Sequence, residues 1–233
     1  MSALFLLAGV VLLALIWFGP LPRLAQHSFS AHMTMHMGVV AVAAPLLALG
    51  LTRRTNPTLW SPASAGLMGT RWLAAPIAAS MIELVVVWGW HAPALHLAAR
   101  HHVWALVLEQ GSFLLAGLLL WVTALGGDSQ RERGYAGAGV VALLFTSMHM
   151  TLLGALLALS NRPLFQHAVE GTRALSDQHL GGAVMLIVGG ASYLIGGLWL
   201  TMRMLRITPR VVRSRERTVR LQADPGRVER TLP

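Results

Sequence analysis

Apolar runs long enough to cross a lipid bilayer constrain this chain more than any other feature. A hydrocarbon core about 30 Å thick needs roughly 20 helical residues at 1.5 Å each. Six runs approach or meet that length: Ser2–Phe18, Ala31–Leu51, Trp72–Trp90, Val103–Leu125, Ala138–Leu159 and Leu180–Met204. Gly19-Pro20 stops the first run, which lacks a basic leader and an Ala-x-Ala-like exit and so reads as a span, not a signal peptide. Sustained strand-like alternation is absent, which argues against a barrel. Charged residues make up 12% of the chain, against about 25% in soluble domains. Its 55% hydrophobic content excludes disorder. The expectation is an all-α polytopic membrane helix bundle with six transmembrane helices.

Arginine orients it. The chain has no Lys, and 14 of its 18 basic residues fall on one side of the expected spans: Arg53, Arg54, Arg71, Arg131, Arg133, Arg203 and the eight beyond it. Arg23, Arg100, Arg162 and Arg173 fall on the other. By the positive-inside rule both termini are expected to be cytoplasmic. Residues 1–205 then form the transmembrane bundle, and 206–233 a basic cytoplasmic tail with little order. The net charge of +9 reads as a topology anchor on membrane lipids. No nucleic-acid fold or aromatic platform accompanies it. The absence of Cys excludes disulfides, thiolate-bound metals and thiol catalysis.

The same topology sorts the ten histidines. His27, His32, His36, His91, His96, His101, His102, His167 and His179 all fall at the outer side, in loops or at the ends of spans. His149 lies inside the fifth span. Glu83, Glu109 and Gln110 lie deeper, roughly 5–15 Å below the outer surface at 1.5 Å per residue. A charged group there costs about 2.5–3.5 kcal/mol on insertion scales unless it is paired or hydrated. One interior pocket shared by Glu83, Glu109, His36 and His149, open to the outside, is the economical arrangement. Methionine accompanies these groups. His32 and His36 share a helical face, as do Met33 and Met37, while Met148 and Met150 flank His149 and Met185 follows His179. Imidazole with thioether suits copper, and thioether favours Cu(I) over zinc. A solvated loop His and a packing Met remain the ordinary readings of any one of these residues alone.

Several stretches in order resemble the CtaG family of caa(3)-type cytochrome c oxidase assembly factors. They are His32-Met33-x-x-His36-Met37, Ala44-Pro45-Leu46-Leu47-Ala48-Leu49-Gly50, Trp90-His91-Ala92-Pro93-Ala94-Leu95, Glu109 with Phe113-Leu114, Gly117-Leu118-Leu119-Leu120-Trp121, Gly154-Ala155-Leu156-Leu157 and Asp177-Gln178-His179-Leu180-Gly181-Gly182. The resemblance runs from about Gln26 to Leu200. It implies a multi-pass protein of the bacterial plasma (inner) membrane that helps mature a haem–copper oxidase, with copper delivered on the periplasmic side. It implies functional positions at His32, His36, His91 and Asp177, with Met33 and Met37 beside them. The chain departs from the family pattern at Gln110, where members often have His, and at His96, where they often have Tyr.

The expected mechanism is transient binding of copper, as Cu(I) or Cu(II), without catalysed bond chemistry. His32 and His36 are the leading ligands. His91, His149, His96, His179, Met33 and Met37 are further candidates, and Met148, Met150 and Met185 lie in or beside the pocket. Glu83, Glu109 and Asp177 would orient imidazoles or offset charge. Expected partners are oxidase subunits, the copper-bearing ones first, and a periplasmic copper donor. Two alternatives stay open: a haem-binding membrane redox protein with His36 and His149 as axial ligands, and a metal-free assembly scaffold. An intramembrane zinc hydrolase is disfavoured, because no His-Glu-x-x-His motif is present.

Overall fold

A computed structural model describes residues 1–52, 71–126, 132–165 and 172–205. The tail 206–233, His167, and the orienting arginines Arg53, Arg54 and Arg131 lie outside the described residues. Among the described residues all regular structure is helical. We number the helices α1 (Ser2–Phe18), α2 (Leu21–Ala25), α3 (Phe29–Thr52), α4 (Arg71–Trp90), α5 (Pro93–His101), α6 (Val103–Leu125), α7 (Glu132–Ala158) and α8 (Arg173–Leu205).

Helices α3, α6, α7 and α8 are each long and apolar enough to cross a membrane. Helices α4 and α5 make a fifth span if counted as one element bent by 72°, and α1 is a shorter apolar helix. The surface is that of a protein solvated by lipid: Leu115 is 69% exposed and Val107 and Ile195 are each 64% exposed, whereas Glu83 and Glu109 are both 0% exposed. A soluble protein places these residue types the other way round.

Contacts along the helices fix their directions. Glu109 and Gln110 meet His32 and His36, and Gly117 meets Val40 and Ala44, so α3 and α6 run parallel. Gly154 faces Gly182 and Leu186, and Ser147 bonds Gly190, so α7 and α8 run antiparallel. The α7–α8 approach depends on small residues: a Cβ at Gly182 would lie 2.5 Å from the Ala158 nitrogen and 2.7 Å from the Gly154 oxygen. Small residues at such crossings let helices pack closely in lipid, where the hydrophobic effect does not drive them together.

Two spans contain π-helical turns, Gly38–Ala43 in α3 and Met185–Gly189 in α8. Pro45 gives the first a physical cause. Proline has no N–H and its ring crowds the preceding turn. Ala44 N–H already bonds the Val39 carbonyl in the π pattern, so Pro45 leaves the next carbonyls, at Val40 and Ala41, short of a donor. Helix α8 approaches both: Ser192 Oγ donates to the Ala41 oxygen at 2.5 Å, and the Tyr193 hydroxyl lies 3.4 Å from the Val40 oxygen. Satisfying such groups internally is obligatory in lipid.

Two segments read as outer loop in the sequence are helical. His96 and His101 stand on α5, and Asp177, Gln178 and His179 stand on α8, which begins at Arg173 and not near Leu180. Pro93 supplies the preset φ that starts α5.

Candidate metal centre

The sequence places His32 and His36 one turn apart near the N-terminus of α3, and folding sets Glu109 of α6 between them. Glu109 Oε1 is 3.3 Å from His32 Nε2 and 3.4 Å from His36 Nε2. The second carboxylate oxygen is buried without a hydrogen-bond partner. Gln110 Nε2 donates to His36 Nδ1 at 2.8 Å, which turns His36 Nε2 towards Glu109. Gln110 thus holds His36 in place through its amide.

Helix α5 brings in a third imidazole. Its bend from α4 lays it across the end of the bundle, with His96 turned inward and 2% exposed. The His96 ring lies 4.7 Å from that of His32. One ligand atom each from His32, His96 and Glu109 fall within 4.8 Å of one another. Phe29 and Phe165 pack on His96, with ring centroids 5.6 and 4.5 Å away, and stack on each other at 4.9 Å. They roof the cluster. The pocket expected to be open is therefore closed: His32 and His36 are each 1% exposed.

His91, in the turn between α4 and α5, donates from Nδ1 to the Val87 carbonyl at 2.7 Å and faces Met33 Sδ with Nε2 at 3.4 Å. Its ring is 6.0 Å from that of His36. Met37 and Met150 are buried together against Gly189, and Met185 is buried as well.

Other candidates stand apart. Asp177 meets no imidazole. It accepts from Phe29 N at 2.6 Å, Ser30 N at 3.2 Å, Ser28 Oγ at 2.9 Å and Ser30 Oγ at 2.5 Å. Those amides open α3 and have no partner within the helix, so Asp177 caps from another span the helix that carries His32. His179 donates from Nε2 to the Ser160 carbonyl at 2.8 Å. Gln178, absent from the sequence-derived candidates, accepts from Leu164 N at 2.6 Å and donates to the Leu157 carbonyl at 3.3 Å. The run Asp177-Gln178-His179 is a clasp that ties the start of α8 to α3 and to the segment after α7.

Glu83 bonds the Tyr193 hydroxyl, not the imidazoles around Glu109. Tyr193 escaped sequence reading, although a Tyr inside an apolar span needs a polar partner, and that was the available signal. His149 is buried against Phe145, with neither ring nitrogen hydrogen-bonded. Met148 is 57% exposed on the outside of the bundle, away from the cluster.

Fold and site together define an integral membrane helix bundle with an imidazole–carboxylate cluster sequestered at one end. The chain belongs to the cytochrome c oxidase caa3 assembly factor family (Caa3_CtaG), whose model matches residues 2–207. Among the curated proteins and the solved structures no match was found. Membership makes association with the oxidase during its assembly the protein's setting.

Proposed function

We propose that the protein binds copper at the His32–His96–Glu109 cluster, with His36 alongside, and delivers it to a copper-bearing subunit of the oxidase. Copper is cargo here, and no bond chemistry is catalysed. The observation that carries this reading is the convergence of two imidazoles and a carboxylate in a buried position. The donor chemistry fits. Metal–ligand bonds of about 2.0–2.1 Å in tetrahedral geometry separate neighbouring donors by roughly 3.3–3.4 Å, the spacing of Glu109 Oε1 from the His32 and His36 nitrogens, whereas the triad that includes His96 spans up to 4.8 Å and closes further around an ion. Charge-assisted hydrogen bonds are shorter, at about 2.7–2.9 Å. The unpartnered Glu109 oxygen offers one more lone pair.

In this reading α1 and the α4–α5 pair complete six spans. Both termini lie in the cytoplasm of a bacterial cell, and the cluster faces the periplasm, where a soluble copper donor loads it. The arginine distribution supports that orientation. Because the cluster is closed, loading and release require α5 or the Phe165 segment to move.

Metal analysis of the purified full chain in detergent tests the reading. Copper should bind the wild type and fall to background in the His32→Ala/His36→Ala double variant, and cells carrying that variant should lose oxidase activity. Wild-type copper content in the double variant would refute the ligand assignment. Copper-free wild-type protein that still supports the oxidase would favour the scaffold instead.

A further inference from the structure

A carbonyl oxygen only accepts hydrogen bonds, so the 2.7 Å contact with the Val87 oxygen makes His91 Nδ1 the protonated nitrogen. A neutral imidazole has one N–H, which leaves Nε2 with a bare lone pair. That lone pair points at Met33 Sδ, 3.4 Å away, and a thioether sulfur has no proton to give. Two electron-pair donors therefore face each other in a desolvated position, with His91 7% and Met33 0% exposed. Space for the sulfur is provided from α8, where a Cβ at Gly181 would lie 3.0 Å from Met33 Cγ.

We propose that His91 and Met33 form a second cation position, distinct from the His32–His96–Glu109 cluster and selective for soft monovalent metal, Cu(I) in the cell. This deepens the copper reading and rests on it for the identity of the cargo. With bonds of about 2.0 Å to nitrogen and about 2.3 Å to sulfur, the 3.4 Å separation holds a cation in a bent arrangement, and the flexible Met33 side chain can draw back to admit a more linear one. Its donors are one imidazole and one thioether without a carboxylate, a set that favours Cu(I) over divalent ions. The carboxylate of the outer cluster suits a divalent ion better. His32 and Met33 are adjacent on α3 and so project from different faces, which keeps the positions separate. The 6.0 Å between the His36 and His91 rings is short enough for direct hand-over from one to the other.

The test uses the full chain in detergent, with Zn(II) as the borderline probe and Ag(I) as a redox-inert substitute for Cu(I). Once Zn(II) has saturated the outer cluster, the wild type should take up one Ag(I), with sulfur scattering in its silver X-ray absorption spectrum. Met33→Leu, which conserves volume, should weaken Ag(I) binding at least tenfold, remove that scattering and leave Zn(II) binding intact. Retained Zn(II) binding also reports a folded bundle. Met35→Leu, a buried control on the same helix, should bind both ions as the wild type does. Unchanged Ag(I) affinity in Met33→Leu would overturn the proposal, as would Ag(I) uptake without sulfur scattering. Should the wild type bind Ag(I) through Met33 but no Zn(II), the second position stands and the outer cluster loses its role. If neither ion binds, both readings fall.

Discussion

Asp177 holds the start of α3 from a helix 147 residues further along the chain, so its removal should loosen that turn and little else. The amides of Phe29 and Ser30 donate to this carboxylate, at 2.6 and 3.2 Å. A hydrogen bond to a charged group contributes about 1.5–3 kcal/mol, and Asp177 is half-buried, so water replaces part of each. About 1 kcal/mol for each amide, including the favourable negative charge at a helix N-terminus, is a reasonable allowance. The serine hydroxyls can turn to solvent at little cost, and Ser28 Oγ still accepts from Ala31 N at 3.3 Å. Asp177→Ala should therefore cost about 2 kcal/mol locally, which is roughly a 30-fold rise in hydrogen exchange at Phe29 and Ser30. Asp177→Asn keeps one acceptor and loses the charge, so about 1 kcal/mol and a fivefold rise are expected. Exchange measured by mass spectrometry in detergent can compare the peptide at the start of α3 with one around Glu109 on α6, which should not change. His32 follows in the next residues, so metal affinity should fall in the same order, Ala below Asn below wild type. Unaltered exchange at Phe29 and Ser30 in Asp177→Ala would show that the clasp does not hold α3.

Two further substitutions probe the interior of the bundle. Tyr193→Phe removes the hydroxyl between Glu83 and the Val40 carbonyl, and an orphaned buried group costs about 1–3 kcal/mol; thermal unfolding in detergent should come earlier, with part of the loss recovered by adding Glu83→Leu, and unfolding of Tyr193→Phe at the wild-type temperature would contradict the pairing. Gly182→Ala drives a Cβ to 2.5 Å from the Ala158 nitrogen, whereas at Gly137 nothing lies within 4 Å; the first should cost about 1–3 kcal/mol by overpacking and Gly137→Ala less than about 0.5 kcal/mol, and equal unfolding temperatures for the two would rule out the tight α7–α8 crossing.

Ser2–Phe18 and Val103–Leu125 were legible to the residue, because a continuous apolar run ended by Gly-Pro or Gly is an unambiguous signal. The end of α4 at Trp90 was equally clear. Helix α5 was missed because nine amphipathic residues that begin with a proline resemble a polar loop when hydropathy is averaged over a span-length window. The early start of α8 was missed for a related reason: Arg173, Asp177, Gln178 and His179 are polar, and their helical state depends on partners in α3 and after α7.

His32, His36 and Glu109 could be singled out from the sequence because polar residues in apolar spans are costly wherever they point. Which of them meet depends on how the spans are rotated and how high they sit, and one sequence does not encode that in any local pattern. Glu83 and Glu109 look alike in sequence, yet one meets a tyrosine and the other two imidazoles. His96 joined the cluster only through the 72° bend, and Asp177 proved to be a helix cap.

By itself the sequence determined that this chain is an all-helical membrane protein with most of its His in loops or near the ends of its spans. It could do so because lipid admits only backbone that satisfies its own hydrogen bonds, and such backbone requires long apolar runs. Tertiary structure alone decided which imidazoles share a carboxylate, which one faces a thioether, and that the cluster is closed. Those outcomes rest on contacts of a few ångströms between residues far apart in the chain, such as the close approach of Gly117 on α6 to Val40 and Ala44 on α3.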